Sequence, residues 1–317
     1  MNRRKLLQAS IALPLTSGIL GCSTEAPVDI GLHPWPGYDP LLLAQHFGWF
    51  GSAVNLHEGK SASDSIEGLQ RGLLNAACLT LDEVIGVRAE GIALTVILVT
   101  NESVGADAVL ARPSITHITD LRGRRIGVET HSVGSIVLQK TLSAAGLTLS
   151  DVQVVNQPID QHLRLWDEGK IDAAITYPPF SVALERAGAN RIYDSRYFPH
   201  TIFDVIAVRT DRIARIGASL NTLVTGYLRA LDHLRVNRED AHRRIAAWRG
   251  SSFEDTEASF RGMHLPSGDE SRRLLAPQGN LMVAAQHLGQ IMHDNGRLPV
   301  RPSLDKLVSD AFLPAKD

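Results

Sequence analysis

The sequence is short of cysteine, of aromatic residues and of basic excess, and each shortage narrows what the chain can be. Its 317 residues hold two cysteines, Cys22 and Cys78, too few for a disulfide framework. The formal charge is −2, so no cationic surplus exists to neutralise phosphates, and a nucleic-acid partner is not expected. The apolar run IALPLTSGIL near the N-terminus falls short of the ~20 residues a membrane span needs. Catalytic and cofactor signatures are also missing. There is no phosphate loop, no dinucleotide fingerprint and no His-Glu-x-x-His metal spacing among the dispersed histidines. Thr130-His131-Ser132-Val133-Gly134 lacks the first glycine of a nucleophile elbow, and adjacent His131 and Ser132 do not face each other as a dyad. No cofactor and no metal are expected.

What is present reads as an ordinary globular chain, 44% hydrophobic and 21% charged, long enough for two cores of roughly 150 residues each. The first residues differ in kind. MNRRKLLQ is basic, IALPLTSGIL is apolar, and Gly21-Cys22 follows, which is the pattern of an export signal over residues 1–21. Its removal takes away Arg3, Arg4 and Lys5 and no acid, leaving a charge of −5. Ile19-Leu20-Gly21-Cys22 resembles a bacterial lipobox, with Cys22 as the lipidated residue. Arg3-Arg4-Lys5-Leu6-Leu7 resembles a twin-arginine signal, although two arginines suit a general secretory signal as well. Cys78 would then be the one free thiol, and its apolar neighbours mark it as a core residue.

An internal repeat is the strongest signal in the chain. Ile30-Gly31-Leu32 recurs as Ile126-Gly127-Val128, and Gly72–Ala77 recurs as Gly169–Ala174, at offsets of 96 and 97 residues. Val54 and its neighbours lie opposite Val152 and its neighbours at a similar offset. Two similarly built α/β units with mainly parallel sheets follow. Asp39 with Pro40, Ser63 or Asp64, and Ser132 or Ser135 are candidate helix starts; Gly48, Gly72 and Gly146 are candidate stops.

Asp107–Arg112 and Asp204–Arg209 share a pattern of aspartate, apolar run and arginine, and they bracket the second unit. Read as two hinge segments, they divide the chain into a linker at 22–27, a first lobe at 28–108, a second lobe at 109–205, and a return to the first lobe at 206–317. SLNTLVTGYLRALDHL, EDAHRRIAAW, NLMVAAQHLGQIMHDNG and SLDKLVSDAF carry helical periodicity and are expected to pack on the first lobe. In parallel sheets ligands bind beyond the carboxyl ends of the strands, so loops 33–39, 60–64 and 80–83 should face loops 129–135, 156–161 and 176–180 across a cleft.

GYDPLLLAQHFGWF, ITDLRGRRIGVETHSVGS, LWDEGKIDAAITYPPFSVALERAG and FDVIAVRTD, in that order, resemble the nitrate/sulfonate/taurine-type solute-binding proteins of bacterial ABC transporters. The resemblance runs from about residue 28 to beyond 260. It implies an α/β type II periplasmic-binding fold, with two lobes closing on a small solute and C-terminal helices on the first lobe. It also implies an extracytoplasmic location, a permease and an ATPase as partners, and a monomer. Tyr177-Pro178-Pro179-Phe180 departs from the family's Trp-Glu-Pro-Phe, so the lip of the pocket is expected to be reshaped.

The candidate ligand contacts are Trp35, Tyr38, Ser61, Ser63 and Thr80 on the first rim, and Thr130, His131, Ser132 and Tyr177 on the second, with Asp204 at the return segment. Aromatic rings can enclose a solute, and hydroxyls at helix starts can hold a polar head. Each has a plainer role available: Trp35 and Tyr38 as packing under their own loop, the serines and Thr80 as caps. The resemblance favours a small anion, with an amine or zwitterion left open. A receptor that signals to a membrane sensor, and less readily an exported enzyme of the same fold, are the alternatives to import.

Overall fold

The computed structural model describes residues 26–301 and 303–315. The export signal and Cys22 lie outside the described residues. The first sheet is built from β1 (Val28–Leu32), β2 (Val54–Glu58), β3 (Ala76–Thr80), β4 (Leu94–Ser103), β10 (Phe203–Arg209) and β11 (Met263–His264). Its order is β11-β4-β10-β3-β1-β2. The second contains β5 (Ala108–Ala111), β6 (Arg125–Val128), β7 (Gln153–Asn156), β8 (Ala173–Thr176) and β9 (Asn190–Asp194), in the order β7-β6-β8-β5-β9. Superposed by position, β2-β1-β3-β10-β4 corresponds to β7-β6-β8-β5-β9. In each lobe three parallel strands are followed by one antiparallel strand, β10 or β5. The repeat read from the sequence is therefore a repeat of sheet topology.

The glycine shared by the two β1-type strands has a steric cause. A Cβ on Gly31 would stand 2.5 Å from Ser65 Oγ and 2.7 Å from Leu74, because α2 (Ala62–Gln70) lies directly on the strand. The central strands are buried on both faces, β3 and β4 having no exposed residue, as helix-covered sheets require, while the edge strands β2 and β7 are largely exposed. The chain passes between the lobes over 104–107 and again over 195–202. The two crossings are bonded together, with Ser103 Oγ 2.8 Å from Ser195 Oγ and the Gly105 amide donating to Ser195 Oγ at 2.6 Å.

The helices α1 (Asp39–His46), α3 (Leu81–Ala89), α4 (Gly134–Ala145), α7 (Ile213–Val236), α8 (Arg238–Arg249) and α11 (Asn280–Asp294) set the lobes' outer layers. The C-terminal helices do pack on the first lobe, α7 on α1 and α11 on α3. Among the described residues no helix is long and apolar enough to cross a membrane.

Several local expectations need correction. Asp39 is the first residue of α1 rather than its cap: its backbone is already helical, with φ −58° and ψ −28°, and its carboxylate goes to Arg249 Nη2 at 2.7 Å. Ser61, and not Ser63 or Asp64, is the N-cap of α2, with its amide donating to the Asp64 carboxylate at 3.3 Å. Neither Ser132 nor Ser135 caps α4; Val133 stands at its N-cap, and Ser135 donates its hydroxyl to the Ser132 carbonyl instead. SLDKLVSDAF is not helical: the Val96 amide donates to the Leu307 carbonyl at 2.7 Å, and the segment runs beside β4. That backbone pairing outweighs its helical periodicity.

Candidate functional site

The loop after β1, His33-Pro34-Trp35-Pro36-Gly37-Tyr38, folds onto a buried polar network. Trp35 Nε1 donates to Asn101 Oδ1 at 2.8 Å, Asn101 Nδ2 donates to Asp204 Oδ2 at 2.8 Å, and the Tyr38 hydroxyl donates to Asp204 Oδ1 at 2.8 Å. Gly37 makes this possible: a Cβ there would lie 2.0 Å from Asn101 Oδ1 and 2.7 Å from Trp35 Nε1. The Tyr227 hydroxyl holds the turn from below, donating to the Gly37 and Thr100 carbonyls. Both rings thus bury their apolar bodies and satisfy their polar ends, as buried tyrosine and tryptophan generally must.

One small cavity, of about 20 Å³, lies where the lobes meet. The first lobe lines it with His33, Trp35, Thr80, Glu83 and Asp204, and the second with Val133, Tyr177 and others. The Trp35 and Tyr177 rings meet edge to face across it, with centroids 5.3 Å apart. Tyr177 packs against the cores of both lobes. Further contacts close the two sides. Arg297, beyond α11, donates to Ser135 Oγ at 2.5 Å and reaches Asp82 at 3.5 Å. Arg186, on the second lobe, pairs with Asp255 on the first at 2.5 Å.

The chemistry around the cavity is acidic. Asp204 is 3% exposed, and burial followed by the neighbouring Asp107 pushes its carboxyl up to about 8, against the bonds from Tyr38 and Asn101. Asp107, at 3%, is raised to about 6, chiefly by burial. Glu83 is also raised, by burial and by Asp82, although the Thr80 amide donates to it at 2.9 Å. His33 moves the other way, to about 4, because burial and Arg249 disfavour its imidazolium. Burial also raises the thiol of Cys78, which is inert core, as its sequence neighbours imply.

Of the residues anticipated from sequence, Trp35, Thr80, Tyr177 and Asp204 come together on this cavity. Tyr38 is wholly buried behind it and reaches it only through Asp204. Ser63, Thr130 and His131 line a separate, open groove of about 790 Å³ between the lobes, beside Arg297. Ser61 is occupied as a cap, and Ser132 is buried with its hydroxyl lacking a hydrogen-bond partner. Sequence reasoning missed Glu83 and Asp107 as lining residues. Asp107 carried a legible signal, since it opens β5's segment as Asp204 opens β10's, and the two strands are topological equivalents. A third cavity, about 590 Å³, also lies between the lobes, with Pro34, Trp35 and Trp248 of the first facing Phe180 and Val182 of the second.

Comparison with known proteins agrees with this architecture. The chain is 24% identical over 154 residues to the taurine-binding periplasmic protein of Escherichia coli, a match covering 47% of this chain and 48% of that one. The chain spans about half the length of the curated relatives it matches. The crystal structure of the periplasmic aliphatic sulphonate-binding protein of E. coli superposes with a TM-score of 0.76 at 17% identity, covering 89% of this chain and 96% of that one. A desulfurization enzyme shares the fold at a TM-score of 0.66 and 18% identity, covering 90% and 97%. Residues 35–240 match the family described as NMT1/THI5 like, and the chain belongs to that family.

Proposed function

From that membership and the geometry above, we propose that the protein is an extracytoplasmic solute receptor that captures a small polar molecule between its lobes and delivers it to an ABC importer. The observation that carries this reading is the cavity shared by both lobes, walled by Trp35 from one and Tyr177 from the other. A site assembled from two lobes couples binding to closure, since a solute that touches both rims stabilises the closed arrangement by its differential contacts. The permease and ATPase are the partners, and Cys22 is the lipid anchor at the membrane's outer face. The protein works as a monomer and catalyses no reaction. The site residues are Trp35, Thr80, Tyr177 and Asp204, with Tyr38 holding Asp204 from behind.

A solute larger than one water has to part the Trp35–Tyr177 contact, because about 20 Å³ admits no more. The test is a thermal-shift screen of small anions, amines and zwitterions, followed by tryptophan fluorescence on each hit. A solute that stabilises the protein should change the emission of the wild type and leave Trp35→Phe much less affected. Hits whose fluorescence response survives Trp35→Phe in full would contradict the site.

A further inference from the structure

Three carboxylic acids, Glu83, Asp107 and Asp204, line the interlobe cavity, each less than 10% exposed. Among the described residues none of the three forms an ion pair. The partners of Asp204 are the neutral donors Tyr38 and Asn101, and Glu83 accepts from the Thr80 amide. The nearby cations are already engaged. Arg191 pairs with Glu185 at 2.9 Å and donates to the Gly105 carbonyl at 2.6 Å; Arg297 is spent on Asp82 and Ser135. His33 lines the same cavity and is 6% exposed, yet its Nδ1 has no hydrogen-bond partner. Burial keeps that imidazole neutral, so it brings no counter-charge, and in the tautomer protonated at Nε2 its Nδ1 is a free acceptor.

Buried acids without a counter-ion, an unfilled imidazole acceptor and two aromatic walls are complementary to one kind of group. We infer that the cavity receives a cationic nitrogen of the solute, a primary ammonium, seated among Asp204, Asp107 and Glu83 beneath Trp35 and Tyr177. This rests on the receptor reading above and reverses the anionic preference that the resemblance implies. An ammonium donates to carboxylates and to a neutral imidazole, and it is attracted to aromatic faces. About 20 Å³ holds a group of that size. A sulfonate or nitrate in the same place would meet no unengaged cation, and would bind only with the acids held protonated.

Proton linkage follows from the surroundings. Facing Asp204 are Asp107 on the crossing just before β5, Asp82 and Glu83 on α3, and Tyr38 on the first loop. Glu129 and Tyr177 face the group from the second lobe, and Cys78 from β3. Asp204, raised to about 8 by burial and by Asp107, keeps its proton at neutral pH, whereas Asp107, raised to about 6 chiefly by burial, is mostly ionised there. An entering ammonium therefore expels protons, and its affinity climbs with pH. An anion would show the opposite slope.

The experiment titrates the full chain calorimetrically with ethylamine, taurine and ethanesulfonate, which share a two-carbon body and differ in charge. Benzylamine and benzylsulfonate repeat the comparison with a larger body. The expected result is binding of an amine-bearing probe, with affinity rising between about pH 6 and about pH 8.5 and protons released into the buffer. Asp204→Asn and Asp107→Asn, each checked for folding by thermal melting, should weaken it by about tenfold or more. Asp107→Asn keeps the test open if Asp204→Asn fails to fold, since Asp204 also anchors the Trp35 loop. Binding of a sulfonate without its amine counterpart, or amine binding untouched by either variant, overturns the ammonium site while leaving the receptor reading intact. Binding of none of the five probes overturns the ammonium site, and the receptor reading falls with it only if the wider thermal-shift screen yields no solute either.

Discussion

Tyr38 donates its hydroxyl to Asp204 Oδ1 at 2.8 Å, joining the loop after β1 to the strand by which the chain returns to the first lobe. Residues 166 positions apart in sequence thereby fix the floor of the interlobe cavity. Because Tyr38 is fully buried, its role is to hold Asp204, and through Asn101 to hold Trp35.

Tyr38→Phe removes one donor and leaves a buried carboxyl oxygen short of a partner. A loss of about 1–3 kcal/mol is expected in urea denaturation. A change below a few tenths of a kcal/mol would mean that Asp204 does not depend on the phenol.

The raised carboxyl of Asp204 gives a pH signature whose sign is fixed. Folded, it titrates near 8, against 3.8 ordinarily, so the folded state keeps a proton that the unfolded chain gives up. Its favourable contribution is fully present below the ordinary value and is lost as pH rises through the folded value. Asp204→Asn cannot titrate, so the variant should gain on the wild type in denaturation midpoint as pH rises from about 4 to about 8. A constant gap across that window would contradict the assignment.

Arg249 Nη2 and Nε hold the buried Asp39 carboxylate at 2.7 and 3.0 Å. Burial has raised Asp39 to about 6 despite that guanidinium. Arg249→Ala would strand the acid, at a cost of about 3 kcal/mol. Double substitution with Asp39→Asn should recover part of the loss, which a double-mutant cycle in chemical denaturation would read.

Much of this was legible from residues. The repeat at 96–97 residues foretold the matching sheets, because Gly31 and Gly127 mark strands on which a neighbouring element lies close. Trp35, Thr80, Tyr177 and Asp204 were legible because they stand at strand ends or on a turn too apolar for water. Glu83 was hidden by its dual position, accepting the Thr80 amide at the start of α3 while lining the cavity. SLDKLVSDAF was misread because its fate depends on a strand edge two hundred residues earlier, at Val96. Periodicity reports a face to be buried, and here the backbone found a partner first.

Arg297 links Ser135 of the second lobe to Asp82 of the first. Arg297→Ala should therefore shift the solute-free protein toward separated lobes, seen as a larger radius of gyration in small-angle scattering. Solute affinity should fall by roughly two- to fivefold, since a smaller fraction is poised for closure. An unchanged radius with unchanged affinity would show that this contact does not restrain the lobes.

The most direct test of the central claim is a calorimetric titration of a thermal-shift hit into the wild type, Trp35→Ala and Tyr177→Ala. The two rings come from different lobes and meet at 5.3 Å, so a solute seated between them loses a wall in either variant. Weakening by about tenfold in both folded variants, about 1.4 kcal/mol each, is the expected result. Full affinity in both would place the solute elsewhere and contradict the account.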